Sequence, residues 1–289
     1  MARRLELLGA LIVATLLIKL AVALPHLVPK RPVAIRGSDS AQPLVAAWAS
    51  EFNGEAIGVD VSVTGGGSTS GISAFLSGGC DLAMCSRPMR AAEAAAARGH
   101  DGPKVEVPIA IAAVAVAVNP LNPLSDLTLA DVADIFAGRK QSWRELGGPD
   151  RPIRVLASPP GTGPYAFLRD HAIRLGDDAL AVSYGPSVTF LADPASLAAC
   201  VASDRDAVAA LELSAVAADV KTLRIAERRD REPVAPSIDA AAEGRYPLAR
   251  PLLLYAASPL SADIGGFVTF CRSDRGQEIA RSLGFIPLR

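Results

Sequence analysis

Residues 59–76 read VDVSVTGGGSTSGISAFL and predict a strand, a small polar loop and a helix in succession. Alternating β-branched residues at 59–63 are typical of a half-buried strand, and the apolar stretch after the loop is typical of a helix. Backbone N–H groups at the helix start lack helical partners, and Ser68, Thr69 and Ser70 add hydroxyl donors. This combination is typical of a loop that holds an anion.

The first half of the chain repeats this arrangement. A short strand at 32–36 leads into GSDS at 37–40 and an apolar helix, and a strand at 81–85 leads into SRP at 86–88 and an alanine-rich helix at 90–98. Serine and aspartate before a helix are typical N-cap residues, and proline suits the first turn. Strands that alternate with helices predict an α/β fold with a parallel sheet, whose loops gather beyond the carboxyl ends of the strands.

Two long apolar stretches predict a division into two lobes. Residues 105–118 end at an NPLNP segment, and we interpret them as a strand that crosses from the first lobe to the second. The second lobe holds a fourth strand–loop–helix unit, with Gly161 and Thr162 in its loop. Residues 246–254 predict the return crossing, and a single helix at 267–283 is expected to close the chain.

The N-terminus predicts export. Arg3 and Arg4 precede an apolar run at 7–18, and AVA at 21–23 is a typical cleavage site. An uncleaved membrane anchor is the alternative, because residues 5–24 are long enough to span a bilayer. Both place the remaining chain outside a membrane. The predicted domains are residues 1–24 as signal peptide or anchor, 32–116 with 250–289 as lobe 1, and 117–249 as lobe 2.

The composition excludes some partners. Half of the 289 residues are apolar and a fifth are charged, so the length and composition allow one large domain or two lobes that each bury a core. Lys and Arg number 29 and Asp and Glu number 30, for a formal net charge of −1. Sequence-independent nucleic-acid binding needs a basic face, so no nucleic-acid partner is expected.

Cysteines and histidines do not predict a metal site. Cys80 and Cys85 flank one short predicted strand and lie too far apart for a disulfide, whereas a Cys200–Cys271 disulfide is left open. The four cysteines fit no zinc spacing, and the three histidines are scattered along the chain. We expect neither a metal nor a cofactor.

The motifs disfavour two classes of enzyme. A dinucleotide-binding loop needs glycine where Ser70 stands, and no Gly-Lys-Ser/Thr sequence follows a glycine run. A serine hydrolase needs a base beside its nucleophile, but no histidine accompanies the loop serines and no G-x-S-x-G sequence occurs. Asp170 and His171 are interpreted as a solvated helix face. The chain is therefore expected to bind a ligand without catalysis, and a hydrolase that uses a loop serine is the weakest alternative.

Arg87 is the one cation within these loops, and it has two interpretations. It forms a surface ion pair with an acid such as Glu93, or it donates two hydrogen bonds to an oxyanion. We favour the second interpretation, because Ser86 and Arg87 follow their strand in the same way as the other two loops follow theirs.

In this order and spacing, the motifs resemble the phosphate-binding proteins of bacterial ABC uptake systems, from about residue 33 to residue 288. The segments that carry the resemblance are GSDS at 37–40 with Pro43 and Trp48, GGSTSGI at 66–72, DLAMCSRP at 81–88, IFAG at 135–138 with Trp143 and LGG at 146–148, Gly161 with Thr162, YPLARPL at 246–252, and GFIPL at 284–288.

The resemblance implies a periplasmic-binding-protein-like fold, in which two α/β lobes are joined by crossing strands and close on one anion in the cleft. It implies a monomeric periplasmic or membrane-face protein that passes phosphate, or a related oxyanion, to an ABC permease in the inner membrane. A membrane-anchored oxyanion sensor or scaffold with the same fold is the alternative. The implied ligand residues are Ser38, Asp39, Ser40, Ser68, Thr69, Ser70, Gly71, Ser86, Arg87, Gly161 and Thr162.

Two departures from the family pattern concern selectivity. In well-known phosphate binders a carboxylate stands at the position of Arg87 and accepts a proton from the ligand. Those proteins also carry Arg and Ser where this chain has Leu156 and Pro160. Asp39 is a candidate for the missing proton acceptor. Oxyanion binding is therefore expected, while strict phosphate selectivity is left open.

Overall fold

The computed structural model describes residues 31–55, 58–99, 104–175 and 180–288. The expected export segment, residues 1–24, lies outside this part of the chain. Among the described residues, no helix combines the length and the apolar character that a membrane crossing requires.

Strands and helices alternate along the chain, as the sequence predicts. The strands are β1 (Arg31–Gly37), β2 (Val59–Thr64), β3 (Leu82–Cys85), β4 (Lys104–Val118), β5 (Asp126–Thr128), β6 (Arg154–Ala157), β7 (Thr189–Phe190), β8 (Ala207–Glu212), β9 (Lys221–Thr222), β10 (Arg224–Ala226) and β11 (Ala249–Ala257). The α-helices are α1 (Gln42–Glu55), α2 (Ser68–Leu76), α3 (Ala91–Gly99), α4 (Leu129–Phe136), α5 (Gly163–Leu168), α6 (Pro194–Ser203), α7 (Ile238–Ala242), α8 (Ala262–Arg272) and α9 (Asp274–Ser282). A π turn at Arg169–Ile173 continues α5.

One sheet runs through both halves of the molecule, in the order β2-β1-β3-β11-β4-β8-β6-β7 with β9 beside β4. β1 pairs in parallel with β2 and β3, and β6 pairs in parallel with β7 and β8. β11 runs antiparallel between β3 and β4. The carboxyl ends of β1, β2 and β3 therefore meet at one edge, where a ligand site is expected in an α/β sheet.

The long strand β4 joins the two halves. Its residues 104–113 pair with β11, and its residues 114–118 pair with β8. The strand predicted at 105–118 is confirmed, and with it the two-lobed α/β fold in which one strand belongs to both lobes. The exact domain boundaries predicted from the sequence stay a prediction.

The return segment starts ahead of β11. The Tyr246 hydroxyl donates to Val114 O over 3.0 Å, and Val114 N donates to Leu248 O over 3.0 Å. Residues 246–248 therefore lie beside β4. β11 itself runs to Ala257, beyond the predicted end at residue 254.

The prediction of a single closing helix at 267–283 is wrong. α8 ends at Arg272 and α9 begins at Asp274, because Ser273 has an extended backbone (φ −70°, ψ 164°) and its Oγ accepts from Gly276 N over 3.2 Å. The junction is tight, since a Cβ on Gly276 would lie 2.3 Å from Phe270 O.

Helices pack on both faces of the sheet, and the core lies between the helices and the sheet. Trp48 is fully buried, and its Nε1 donates to Gly276 O over 2.7 Å, which fastens α1 to α9. In the second lobe, the core contains the fully buried side chains of Trp143 and Phe136. All four cysteines are free, so the Cys200–Cys271 disulfide that the sequence left open is not formed.

Candidate anion-binding site

Three of the predicted loops leave the sheet where β1, β2 and β3 end. Ser38 N donates to Met84 O over 2.8 Å, and Gly67 N donates to Gly37 O over 2.9 Å. These backbone hydrogen bonds tie the loops after β1 and β2 to each other and to the end of β3. The structure thus brings together the three first-lobe loops that the sequence singles out.

Glycines allow the backbone of these loops to pack closely. A Cβ on Gly37, whose φ is +144°, would lie 2.0 Å from Met84 O. A Cβ on Gly71 would lie 2.4 Å from Gly37 Cα. Side chains do not tolerate such distances, so both positions require glycine. The first turn of α2 therefore lies directly against the end of β1.

Four predicted serines are buried among these loops, namely Ser38, Ser40, Ser68 and Ser86. Ser68 Oγ accepts a hydrogen bond from Ser86 N over 3.3 Å. Ser40 is only 1% exposed, yet none of the described residues hydrogen-bonds to its Oγ. A buried hydroxyl without a partner costs free energy, and Ser40 Oγ is available to donate to a bound group. Of the other predicted positions, Thr69, Ser70 and Gly161 are exposed, and Gly71 is buried.

Ser40→Ala is expected to weaken oxyanion binding about tenfold, because it removes one hydrogen bond to a charged ligand worth roughly 1.5 kcal/mol. The free protein should keep its stability, since Ser40 Oγ has no partner among the described residues. Phosphate titration and thermal unfolding of the free variant check both statements. Ser203→Ala in α6, whose Oγ donates to Ala199 O on the surface, is the control. A destabilised free Ser40→Ala variant with wild-type affinity would contradict the assignment.

The loop before α5 brings the second lobe to the same place. Thr162 Oγ1 donates to Pro159 O over 2.8 Å and accepts from Tyr165 N over 3.4 Å, which fixes the loop. A Cβ on Gly163 would lie 3.5 Å from Ser40 O, so this loop approaches the loop after β1 directly. Residues predicted from opposite lobes are therefore neighbours in the structure.

An ion pair crosses between the lobes at this point. Arg169 Nη2 donates to Asp39 Oδ2 over 3.0 Å, while Asp39 Oδ1 accepts from Gly66 N over 2.7 Å. Asp39 was predicted as a ligand residue, but Arg169 was not singled out by the sequence. Its side chain and that of Asp39 are 18% and 32% exposed, so the pair is only partly screened by water.

Arg169 is held from its own lobe by Asp170. Arg169 Nε donates to Asp170 Oδ1 over 2.7 Å, and Arg174 approaches the same oxygen to 3.5 Å. The hydrogen bond to Asp170 raises the pKa of Arg169 above its ordinary value, with a smaller contribution from Asp39, so Arg169 remains a cation. Asp170 is 8% exposed, so the interpretation of Asp170 and His171 as a solvated helix face is wrong.

His171 is also enclosed. Its Nε2 lies 2.6 Å from Pro247 O, and burial lowers the pKa of His171 to about 3. The imidazole is therefore neutral and donates to a carbonyl, which leaves it unsuited to act as a base. In the part of the chain that the structure describes, no group of three or more His, Cys, Asp or Glu side chains is placed to hold a metal ion.

Arg87 forms the ion pair that the sequence offered as its alternative interpretation. Arg87 Nη1 and Nη2 donate to the two carboxylate oxygens of Glu93 over 2.7 and 2.9 Å, and Nη2 also donates to Thr69 Oγ1 over 2.7 Å. Burial alone would raise the pKa of Glu93, but hydrogen bonds from Arg87 and from Arg90 N lower it overall. A role of Arg87 in ligand binding stays a prediction.

A second arginine that the sequence did not single out lies beneath the loops. Arg250, at the start of β11, donates from Nη1 to Ser86 O over 2.8 Å, and its guanidinium lies 5.3 Å from the centre of the Phe167 ring. Ser86 belongs to the first lobe and Phe167 to the second. The one available signal was a lone charge inside the apolar stretch YPLARPLLL.

Comparison with known proteins agrees with this arrangement. A family profile described as a PBP superfamily domain matches residues 26–275. The phosphate-binding protein PstS of Pseudomonas aeruginosa is 28% identical over 269 residues, which is 87% of this chain and 81% of that protein.

Solved structures show the same fold. A possible phosphate-binding protein from Planctomyces limnophilus superposes with a TM-score of 0.81 at 24% identity, over 90% of this chain and 94% of that chain. A proposed phosphate ABC transporter substrate-binding protein from Clostridium perfringens, solved with bound phosphate, gives a TM-score of 0.57 at 25% identity, over 90% of this chain and 100% of that chain.

Proposed function

The chain belongs to the PBP superfamily, and we propose that it is a solute-binding protein that captures phosphate, or a related oxyanion, for an ABC importer. Relatives named phosphate-binding proteins support phosphate as the ligand. A structural neighbour that was solved with bound phosphate, and is described as part of an ABC transporter, supports both the ligand and the transport role. The protein binds and releases its ligand and is not an enzyme.

Hydroxyl groups from both lobes converge at the proposed binding site. Ser38, Ser40, Ser68 and Ser86 are buried at the carboxyl edge of the first-lobe strands, and the Thr162 loop meets them from the other side. Hydroxyls and backbone N–H groups are suited to hold a desolvated oxyanion with few formal charges. The proposed ligand shell is Ser38, Asp39, Ser40, Ser68, Thr69, Ser70, Gly71, Ser86, Arg87, Gly161 and Thr162.

Capture would proceed by hinge closure of the lobes around the ligand. β4 is shared by the two lobes and the Asp39–Arg169 pair spans the cleft, so the described arrangement corresponds to a closed form. We place the lobe boundaries at 32–116 with 250–289 and at 117–249. Asp39 accepts hydrogen bonds from Arg169 Nη2 and Gly66 N, and the remaining lone pairs of its two oxygens are suited to accept a hydrogen bond from a protonated oxyanion.

The cellular setting follows from the same proposal. A protein of this kind works outside the cytoplasmic membrane, as a periplasmic monomer or at the outer face, and delivers its ligand to a permease. The names of the relatives favour capture for transport over the anchored sensor considered from the sequence.

Thermal unfolding with and without phosphate tests the proposal. For a dissociation constant of about 1 µM, 1 mM phosphate should stabilise the folded protein by about 4 kcal/mol. That corresponds to a rise in Tm of roughly 8–16 °C for a chain of this size. Chloride at the same ionic strength is the control, and sulfate reports selectivity. An unchanged Tm at 1 mM phosphate would overturn the assignment.

A further inference from the structure

The strand pairing places Arg250 at the edge of the sheet where the predicted anion loops emerge. β11 runs antiparallel to β3, with Leu253 opposite Cys85, the last residue of β3. Arg250, earlier on β11, therefore lies beyond the end of β3, at the level of the following loop. Its hydrogen bond to Ser86 O, 2.8 Å long, confirms that placement.

The guanidinium of Arg250 is buried between the two lobes. Arg250 is 9% exposed, with Ser86 of the first lobe on one side and the Phe167 ring of the second lobe on another. None of the described residues hydrogen-bonds to Arg250 Nη2. A buried N–H donor without an acceptor costs free energy unless another group accepts its hydrogen bond.

No carboxylate of the described residues forms an ion pair with Arg250. The carboxylate that most favours its charge is Asp170, which already accepts hydrogen bonds from Arg169 and Arg174. Burial lowers the pKa of Arg250 to about 9, and the neighbouring Arg87 also disfavours its charge. A buried cation that lacks a counter-charge destabilises the closed form without ligand, and an anion bound beside it would remove that cost.

We propose that Arg250 is the buried cation of the anion site, and that its Nη2 donates to an oxygen of the bound oxyanion. This inference rests on the proposed function and adds a ligand-binding residue to it. The charged ligand completes the hydrogen bonding of Arg250 only when the cleft closes, because the guanidinium touches both lobes. Arg250 therefore connects ligand charge to closure, which neutral serines cannot do.

Replacing Arg250 separates this role from a structural one. Arg250→Met keeps an apolar stem against Phe167 and removes the charge, and Arg250→Lys keeps the charge without the planar fork. Each variant is titrated with inorganic phosphate, and its thermal unfolding is recorded without ligand. Arg245→Met is the control, because Arg245 is exposed and pairs with Glu243.

The expected result is a loss of phosphate affinity of roughly 10- to 100-fold for Arg250→Met and a smaller loss for Arg250→Lys. The Tm of ligand-free Arg250→Met should equal or exceed that of the wild type, since an uncompensated charge is removed. Wild-type affinity in Arg250→Met, with a lower ligand-free Tm, would show that Arg250 is structural and would overturn the inference alone. If Arg250→Met does not fold, wild-type affinity in folded Arg250→Lys overturns the Nη2 assignment. Failure of the wild type to bind phosphate would instead overturn the proposed function, and this inference with it.

Discussion

Arg169→Met is expected to lower phosphate affinity about 100-fold, or about 2.8 kcal/mol. In the closed form Arg169 Nη2 donates to Asp39 Oδ2 across the cleft, and a hydrogen bond between charged groups contributes roughly 1.5–3 kcal/mol. Its removal also leaves the Asp39 carboxylate uncompensated beside the bound anion. Loss of the closing contact and added repulsion both favour release, so the dissociation rate should rise more than the association rate falls.

Arg174→Met is the matched control for that substitution. Arg174 shares Asp170 with Arg169 and donates to Val182 O, but it makes no hydrogen bond to Asp39. Arg174→Met removes the same formal charge at the residue that follows the π turn, so affinity should change by no more than about threefold. Equal losses of affinity in the two variants would show that the net charge of this lobe, and not the Asp39–Arg169 contact, determines phosphate affinity. Wild-type affinity in Arg169→Met would show that the Asp39–Arg169 pair does not contribute to closure.

Gly37→Ala is expected to destabilise the protein by about 3 kcal/mol or more, a large effect for one methyl group. The new Cβ would lie 2.0 Å from Met84 O, and the φ of +144° is strained for any residue with a side chain. Relief of the clash must move the end of β1 away from β3, which breaks the Ser38 N–Met84 O hydrogen bond. Urea unfolding measures the loss of stability, and the displaced loop should also lose phosphate binding.

Gly54→Ala is the control for the effect of a methyl group on a glycine. Gly54 lies in the last turn of α1, where a Cβ would meet nothing within 4 Å. Alanine should therefore stabilise the helix by up to about 1 kcal/mol. Similar stabilities for Gly37→Ala and the wild type would contradict the close packing described for this loop.

Local sequence patterns were sufficient for most of the fold. The alternation of strands with hydroxyl-rich loops and helices at residues 31–99 predicts the elements that the structure shows, and the apolar run at 105–118 predicts the shared strand β4. The prediction of a single closing helix was wrong because Ser273 interrupts it. Ser273 has an extended backbone, and its side chain accepts a hydrogen bond from Gly276 N as the N-cap of α9. Nothing in the apolar periodicity on either side of Ser273 indicates that break.

The charged part of the site was not predictable in this way. The serine loops adjoin strands in the sequence, so their meeting at one sheet edge follows from a parallel sheet alone. Arg169 reaches Asp39 through the π turn after α5, and Arg250 reaches Ser86 through the pairing of β11 with β3. Both contacts join residues more than a hundred positions apart, and no local pattern encodes them. For Arg87 the sequence allowed both a ligand contact and an ion pair with Glu93, and only the structure shows that the ion pair forms.

Calorimetric titration of the folded protein with inorganic phosphate tests whether this chain binds an oxyanion between its two lobes. We expect saturable binding of one phosphate per chain with micromolar or tighter affinity, and a heat of binding that Arg169→Met and Arg250→Met strongly reduce. No heat and no thermal shift at millimolar phosphate would contradict it.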